Sequence, residues 1–244
     1  MLRDRLLGLP KKAAEAEEGS SLTRHRIPSG DNLLDAVFVQ PVGRPTRAAA
    51  LICHGIGETV EHWRAAQRLL AENCVASLVF NYSGYGRSTG RIDAEQCERD
   101  AIAAFRFLEQ LAPSQPQSLL GFSLGSGIAA AIVARVAAHR LVLCAAFTSL
   151  RKAACSIGIP GVLASLLPAI WNTEDTLGAC MTPVVIVHGE KDRLFPAKMA
   201  QDLASACGGP CELVLVPELS HNTPIYQPEL SYWSLVIARI ANRP

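Results

Sequence analysis

The chain has 244 residues and a formal net charge of +1, with 49% hydrophobic and 18% charged residues. That balance suits a globular chain able to bury a real core and excludes an intrinsically disordered one. It also argues against a nucleic-acid partner, because Lys11 and Lys12 are followed at once by Glu15, Glu17 and Glu18 and no basic surface builds up.

Residues 1–30 read as a polar lead-in, loose or helical. Leu2, Leu6, Leu7 and Leu9 are mixed with Arg3, Asp4 and Arg5, which is not the uninterrupted apolar region of a signal peptide. Pro10 limits any amphipathic anchor there to about two turns. No window approaches the roughly 20 apolar residues of a membrane span, so no integral membrane segment is expected. From residue 31 to 244 the pattern is that of one domain. An alternating strand at 33–39 is closed by Pro41, and apolar runs follow at 48–53, 76–80, 118–121, 141–146, 184–187 and 212–216. Helical segments lie between them at 61–73, 94–111, 124–138 and 197–206, with a last one at 228–240. Alternating strand and helix predicts an α/β fold, a mostly parallel sheet covered on both faces, with ligands bound beyond the carboxyl ends of the strands. The eight cysteines show neither metal-ligand nor disulfide-framework spacing, and a reducing, cytoplasmic compartment is the simplest reading.

The strongest motif is Gly121-Phe122-Ser123-Leu124-Gly125, set between an apolar strand and a small-residue helix. A sharp strand-to-helix turn needs small neighbours and exposes the serine hydroxyl at the positive end of the helix. Ser126 is a poorer candidate nucleophile, one turn into the helix. A serine hydroxyl requires a base, and among six histidines His221, in a loop after the last predicted strand, is the best placed. His25, His62 and His139 read as surface or helix-end residues, and His54 and His188, each before a glycine, as structural loop residues. Asp192, just past the penultimate predicted strand, is the acid expected to orient the histidine, with Glu190 and Asp175 as alternatives. The chain order serine, aspartate, histidine is the one this fold demands. Amides waiting for a developing oxyanion are expected at Leu124, after the nucleophile, and at Ile56 within His54-Gly55-Ile56-Gly57.

These segments, with Asn81-Tyr82-Ser83-Gly84-Tyr85-Gly86-Arg87-Ser88, Phe147-Thr148-Ser149-Leu150 and His188-Gly189-Glu190-Lys191-Asp192, make the chain resemble the α/β-hydrolase superfamily from about residue 33 onward. Within it, the chain resembles the small, cap-poor serine hydrolases of the Bem46 and ABHD13/ABHD17-like branch, or the neighbouring serine-aminopeptidase and monoglyceride-lipase-like group. The resemblance implies an α/β-hydrolase fold, cleavage of esters, thioesters or lipids, and a minimal cap at about 151–180. Residues 156–171 are rich in aliphatics. Leu163, Leu167 and Trp171 are candidate acyl-contacting residues there, against the alternative of a helix packed on the core. Arg87 could meet an anionic group or be a surface residue. The expected activity is hydrolysis of a small acyl ester or thioester through an acyl-enzyme, with a binding protein on the same scaffold, a peptidase or an acyltransferase as alternatives. No motif calls for a metal, nucleotide or organic cofactor.

Overall fold

The computed structural model describes residues 15–17 and 19–241, so the leucine-rich segment at 2–9 lies outside the described residues. The strands are β1 (Glu15–Glu17), β2 (Ser20–Ser29), β3 (Asn32–Pro41), β4 (Ala48–Cys53), β5 (Val75–Phe80), β6 (Gln117–Phe122), β7 (Arg140–Cys144), β8 (Val184–Gly189) and β9 (Cys211–Val216). They form a nine-stranded sheet in the order β1-β2-β3-β5-β4-β6-β7-β8-β9. Pairing is antiparallel from β1 through β3 to β5, and parallel from β5 across to β9.

The central strands are short runs of alanine, valine, isoleucine and leucine, and β4, β5 and β8 are buried along their whole length. Successive side chains of a strand point to opposite faces, so each strand feeds two cores. In β4, Ala49, Leu51 and Cys53 join one core and Ala48, Ala50 and Ile52 the other. The first core is covered by α2 (Ala94–Leu111), α3 (Leu124–Ile132) and α7 (Ala197–Ala206). The second is covered by α1 (Arg64–Glu72) and α9 (Leu230–Ala241). The α/β-hydrolase architecture expected from the sequence is the one observed. The strand order turns back at β4, with β5 on one side and β6 on the other. Such a switch point leaves a crevice beyond the carboxyl ends of β4 and β6, and Gly55 and Ser123 lie at its two edges.

The described residues among the first 30 differ from the expected loose or helical lead-in. Residues 20–29 form β2, paired with β3 over its full length from Ser20↔Pro41 to Ser29↔Asn32. The run SSLTRHRIPS has no apolar alternation, and its strand character comes from a partner outside it. Ile27 is buried, Arg24 forms ion pairs with Asp35 and Glu61, and an Arg26 Nη1–H donates to the Arg87 carbonyl at 2.6 Å. Helix boundaries shift as well. Helix α3 ends at Ile132 in a 3-10 turn over Val133–Arg135, and a 3-10 turn over Val60–Trp63 precedes α1.

Between β7 and β8 the chain forms α4 (Leu150–Ser156), α5 (Gly161–Ala164) and α6 (Thr173–Gly178). The two readings of residues 156–171 divide the segment between them. Val162 and Leu166 are each 79% exposed and Leu163 is 55% exposed, whereas Trp171 is buried and belongs to the first core. The last helices are α8 (Thr223–Tyr226), which follows the His221 loop, and α9.

Candidate active site

β6 delivers Ser123 to the head of α3 in a backbone conformation that L-residues avoid, φ 52° and ψ −121°. Surrounding structure must impose such a conformation, and here it does so by crowding. A Cβ on Gly125 would stand 2.0 Å from the Cys53 carbonyl oxygen, and one on Gly121 would stand 2.5 Å from the Gly125 carbonyl oxygen. Only glycine lets β4, β6 and α3 meet this closely. The Ser123 N–H is tied to the Cys144 carbonyl at 3.0 Å, which pins the turn to β7. Ser126 is fully buried, and its hydroxyl donates to the Ser123 carbonyl at 2.7 Å, so it braces the turn and has no free nucleophilic role.

His221 and Asp192 arrive from the loops after β9 and β8. His221 Nδ1 lies 2.7 Å from Asp192 Oδ2, and Nε2 lies 2.9 Å from Ser123 Oγ. A carboxylate can only accept, so Nδ1–H donates to Asp192, and in a neutral imidazole of that tautomer Nε2 accepts from the serine hydroxyl. Asp192 Oδ1 accepts the N–H groups of Leu194 and Phe195 at 2.9 and 2.8 Å. Burial alone would raise the Asp192 carboxyl. The hydrogen bonds from His221 and the Phe195 amide outweigh burial and hold it below the ordinary carboxylate value. The rings of Phe195 and Phe122 flank the imidazole with centroids 5.0 and 5.6 Å away. Ser123, Asp192 and His221 are all buried.

On the other side of Ser123, the loop after β4 carries Ile56, whose side chain is 72% exposed. No protein acceptor is found for the Ile56 N–H among the described residues. The Leu124 N–H, at the first position of α3, belongs to the N–H groups a helix leaves unsatisfied. The remaining candidates are scattered. Leu163 is exposed, Leu167 half-buried, and Trp171 packs its Cβ against Gly127 of α3 while its Nε1–H donates to Glu98 at 3.2 Å. Glu190 is exposed, and Asp175 is hydrogen-bonded to Asn172 in α6. Arg87 is exposed and offers its carbonyl to Arg26.

Sequence reasoning missed one residue beside the site, Glu58, and read His54 and His188 as structural loop residues. Glu58 is buried, and its Oε2 accepts the Gly55 N–H and the Trp63 Nε1–H, each at 2.9 Å. His54 and His188, the paired strand-end histidines, each make one bond to a loop carbonyl. His54 Nδ1–H donates to Gly55 and His188 Nε2–H to Phe195, both at 2.8 Å. Burial lowers His54 to about 4, so it stays neutral. An acid just after a glycine pair and a tryptophan five residues on were the only local signals for Glu58, and neither specifies a contact. Among the described residues, no group of three or more His, Cys, Asp or Glu is placed to hold a metal ion. No helix among them is long and apolar enough to cross a membrane.

The fold, with its elbow at the end of β6, defines an α/β hydrolase. Solved structures share the architecture. An esterase of Pyrococcus furiosus, Pf2001, aligns over 96% of this chain and 99% of its own with TM-score 0.74 and 17% identity. Est1E of Butyrivibrio proteoclasticus, solved with ferulic acid, aligns over 89% and 96% with TM-score 0.71 and 21% identity. The model of the family described as "Serine aminopeptidase, S33" matches residues 44–171, and the chain belongs to that family of α/β hydrolases. Curated relatives include the uncharacterized protein Rv2307c of Mycobacterium tuberculosis, 30% identical over 60% of this chain and 53% of that protein. Human ABHD12B is 28% identical over 73% and 56%, and the zebrafish (Danio rerio) lysophosphatidylserine lipase ABHD12 is 24% identical over 78% and 56%. The chain thus spans just over half the length of these relatives.

Proposed function

We propose that the protein is a serine hydrolase that cleaves a carboxylic ester or thioester through an acyl-enzyme on Ser123. The observation that carries this reading is the unbroken chain from Ser123 Oγ to His221 Nε2 at 2.9 Å and from His221 Nδ1 to Asp192 at 2.7 Å. In the first half-reaction Ser123 Oγ attacks the acyl carbon while Nε2 takes its proton, and the imidazolium is stabilised by Asp192. The carbonyl oxygen gathers negative charge and is met by the Ile56 and Leu124 N–H groups. His221 then returns the proton to the departing alcohol or thiol. Water, deprotonated by the same nitrogen, releases the acid in the second half-reaction.

The acyl group is read as lying along the aliphatic stretch between β7 and β8, with Leu163 and Leu167 as contacting residues and Trp171 as the packed base behind them. The relative named as a lipase and the neighbour named as an esterase favour an ester over a peptide bond. All eight cysteines are free thiols, which fits a reducing compartment such as the cytoplasm.

The test is hydrolysis of p-nitrophenyl esters of increasing acyl length by the parent and by Ser123→Ala, with fluorophosphonate labelling alongside. Turnover and labelling by the parent, both reduced to background in Ser123→Ala, sustain the reading. A parent that neither turns over any ester nor takes the label overturns it in favour of a binding protein.

A further inference from the structure

Besides Asp192, one more buried carboxyl stands beside the reactive serine. A Cβ built on Gly55 would sit 3.3 Å from Ser123 Cβ on one side and 3.2 Å from Glu58 Oε1 on the other, so Gly55 is sandwiched between nucleophile and acid. Glu58 is 4% exposed, and no ion pair to a lysine or arginine is found for it among the described residues. Burial raises its carboxyl, and the two N–H bonds only partly counter this. An acid kept at such a cost serves something in the native state.

The hydrogen bonds show what it holds. The Glu58 side chain accepts the Gly55 N–H at 2.9 Å, while the Glu58 backbone N–H reaches the Gly55 carbonyl at 3.4 Å. The same carbonyl accepts His54 Nδ1–H. One residue therefore grips Gly55 at both ends of its backbone. A glycine left alone has free φ and ψ. The Gly55 carbonyl and the Ile56 N–H share one planar trans peptide and point in opposite directions. Fixing the first aims the second. The far end of the grip is the indole of Trp63, which is fully buried and stacked edge-on against Phe122 and Trp233 in the second core.

We propose that Glu58 is the positioning residue of the oxyanion loop, its carboxylate clamping Gly55 to the Trp63 indole so that the Ile56 N–H faces the reacting carbonyl oxygen. This deepens the serine-hydrolase reading and rests on it. Glu58 itself touches no reacting atom.

The experiment compares Glu58→Ala, Glu58→Gln and Trp63→Phe with the parent in ester hydrolysis, in fluorophosphonate labelling and in inhibition by a trifluoromethyl ketone of matched chain length. The hemiketal formed by that inhibitor places an oxyanion in the same pocket. For Glu58→Ala, kcat is expected to fall about 100-fold with KM within about 3-fold, and the ketone to weaken by a similar factor, as for loss of an oxyanion donor. Glu58→Gln keeps an oxygen able to accept both N–H groups and is expected to stay within about 5-fold of the parent in kcat and in ketone affinity. Trp63→Phe removes one donor and is expected to fall between the two. If Glu58→Ala does not fold, the Gln and Phe variants decide. Overturning results are an unchanged kcat and ketone affinity in Glu58→Ala, a rise in KM alone, or a folded Glu58→Gln as impaired as the alanine is expected to be. A parent that is itself inert to esters and to the fluorophosphonate overturns the underlying hydrolase reading. An active parent with an unaffected Glu58→Ala overturns the clamp alone.

Discussion

The crossing of β4, β6 and α3 and the stretch from residue 157 to 166, between β7 and β8, are in opposite physical states. At the crossing no methyl group fits at Gly121 or Gly125, and Ser123 is held at a positive φ. In the other stretch Ile157, Val162, Leu163 and Leu166 are all more than half exposed, on short helical turns separated by Gly158 and Pro160. On the proposed function, the contrast separates two tasks. A reaction needs atoms held to fractions of an ångström, which close packing supplies because its parts cannot move independently. Recognition of an acyl chain needs apolar surface with no partner inside the protein, because a satisfied side chain has nothing left to offer a ligand. Substitutions at the crossing should therefore damage chemistry and fold together, and those in the stretch should change substrate preference alone.

The sharpest break falls on the acid. Asp192→Asn leaves a residue of the same shape that no longer enforces the histidine tautomer, and kcat is expected to drop about 10⁴-fold with little change in KM or thermal midpoint. Next comes Gly125→Ala, whose Cβ has the Cys53 carbonyl 2.0 Å away. It is expected to cost about 3 kcal/mol or more, read as a lowered urea midpoint, and to abolish fluorophosphonate labelling in whatever remains folded.

A third test uses acid. His54 has its value lowered from the ordinary 6.5 to about 4, first by burial, so the fold holds the neutral form. The native state then binds fewer protons than the unfolded chain. This group's effect on stability is flat above about pH 6.5, and about 3 kcal/mol is lost as pH falls to 4. His188, also lowered by burial, acts in the same direction, while Glu58, raised by burial, acts in the opposite one. Urea midpoints at pH 7 and pH 4.5 should differ less in His54→Gln than in the parent. An equal difference in both would show that His54 is not the source. The smallest effect belongs to the open stretch. Leu166→Ser is expected to change stability by no more than about 0.5 kcal/mol. It should raise KM a few-fold for long-chain esters and leave short-chain ones untouched, and a matching loss on both would break the proposed division of tasks.

Local rules made part of this molecule legible from the chain alone. The strands at 48–53, 76–80 and 184–187 are continuous apolar runs because they are buried on both faces. The Gly121-to-Gly125 turn is readable because its motif lies within five consecutive residues, although the carbonyl that crowds Gly125 belongs to Cys53 on β4. The order of Ser123, Asp192 and His221 was legible for a related reason: each follows a strand of a sheet whose winding is constrained. What tertiary structure decided has its cause at a distance in sequence. The polar run in β2 is a strand because β3 lies beside it, and Trp171 belongs to the core because Gly127 leaves room for it. Glu58 is close in sequence to Gly55 and Trp63, but the Trp63 indole that shares its carboxyl is itself packed against Phe122 and Trp233, which come from elsewhere in the chain. A residue's own type carries its propensity and charge. Its burial and its partners are set by chain that folds back from elsewhere, which only the tertiary structure decides.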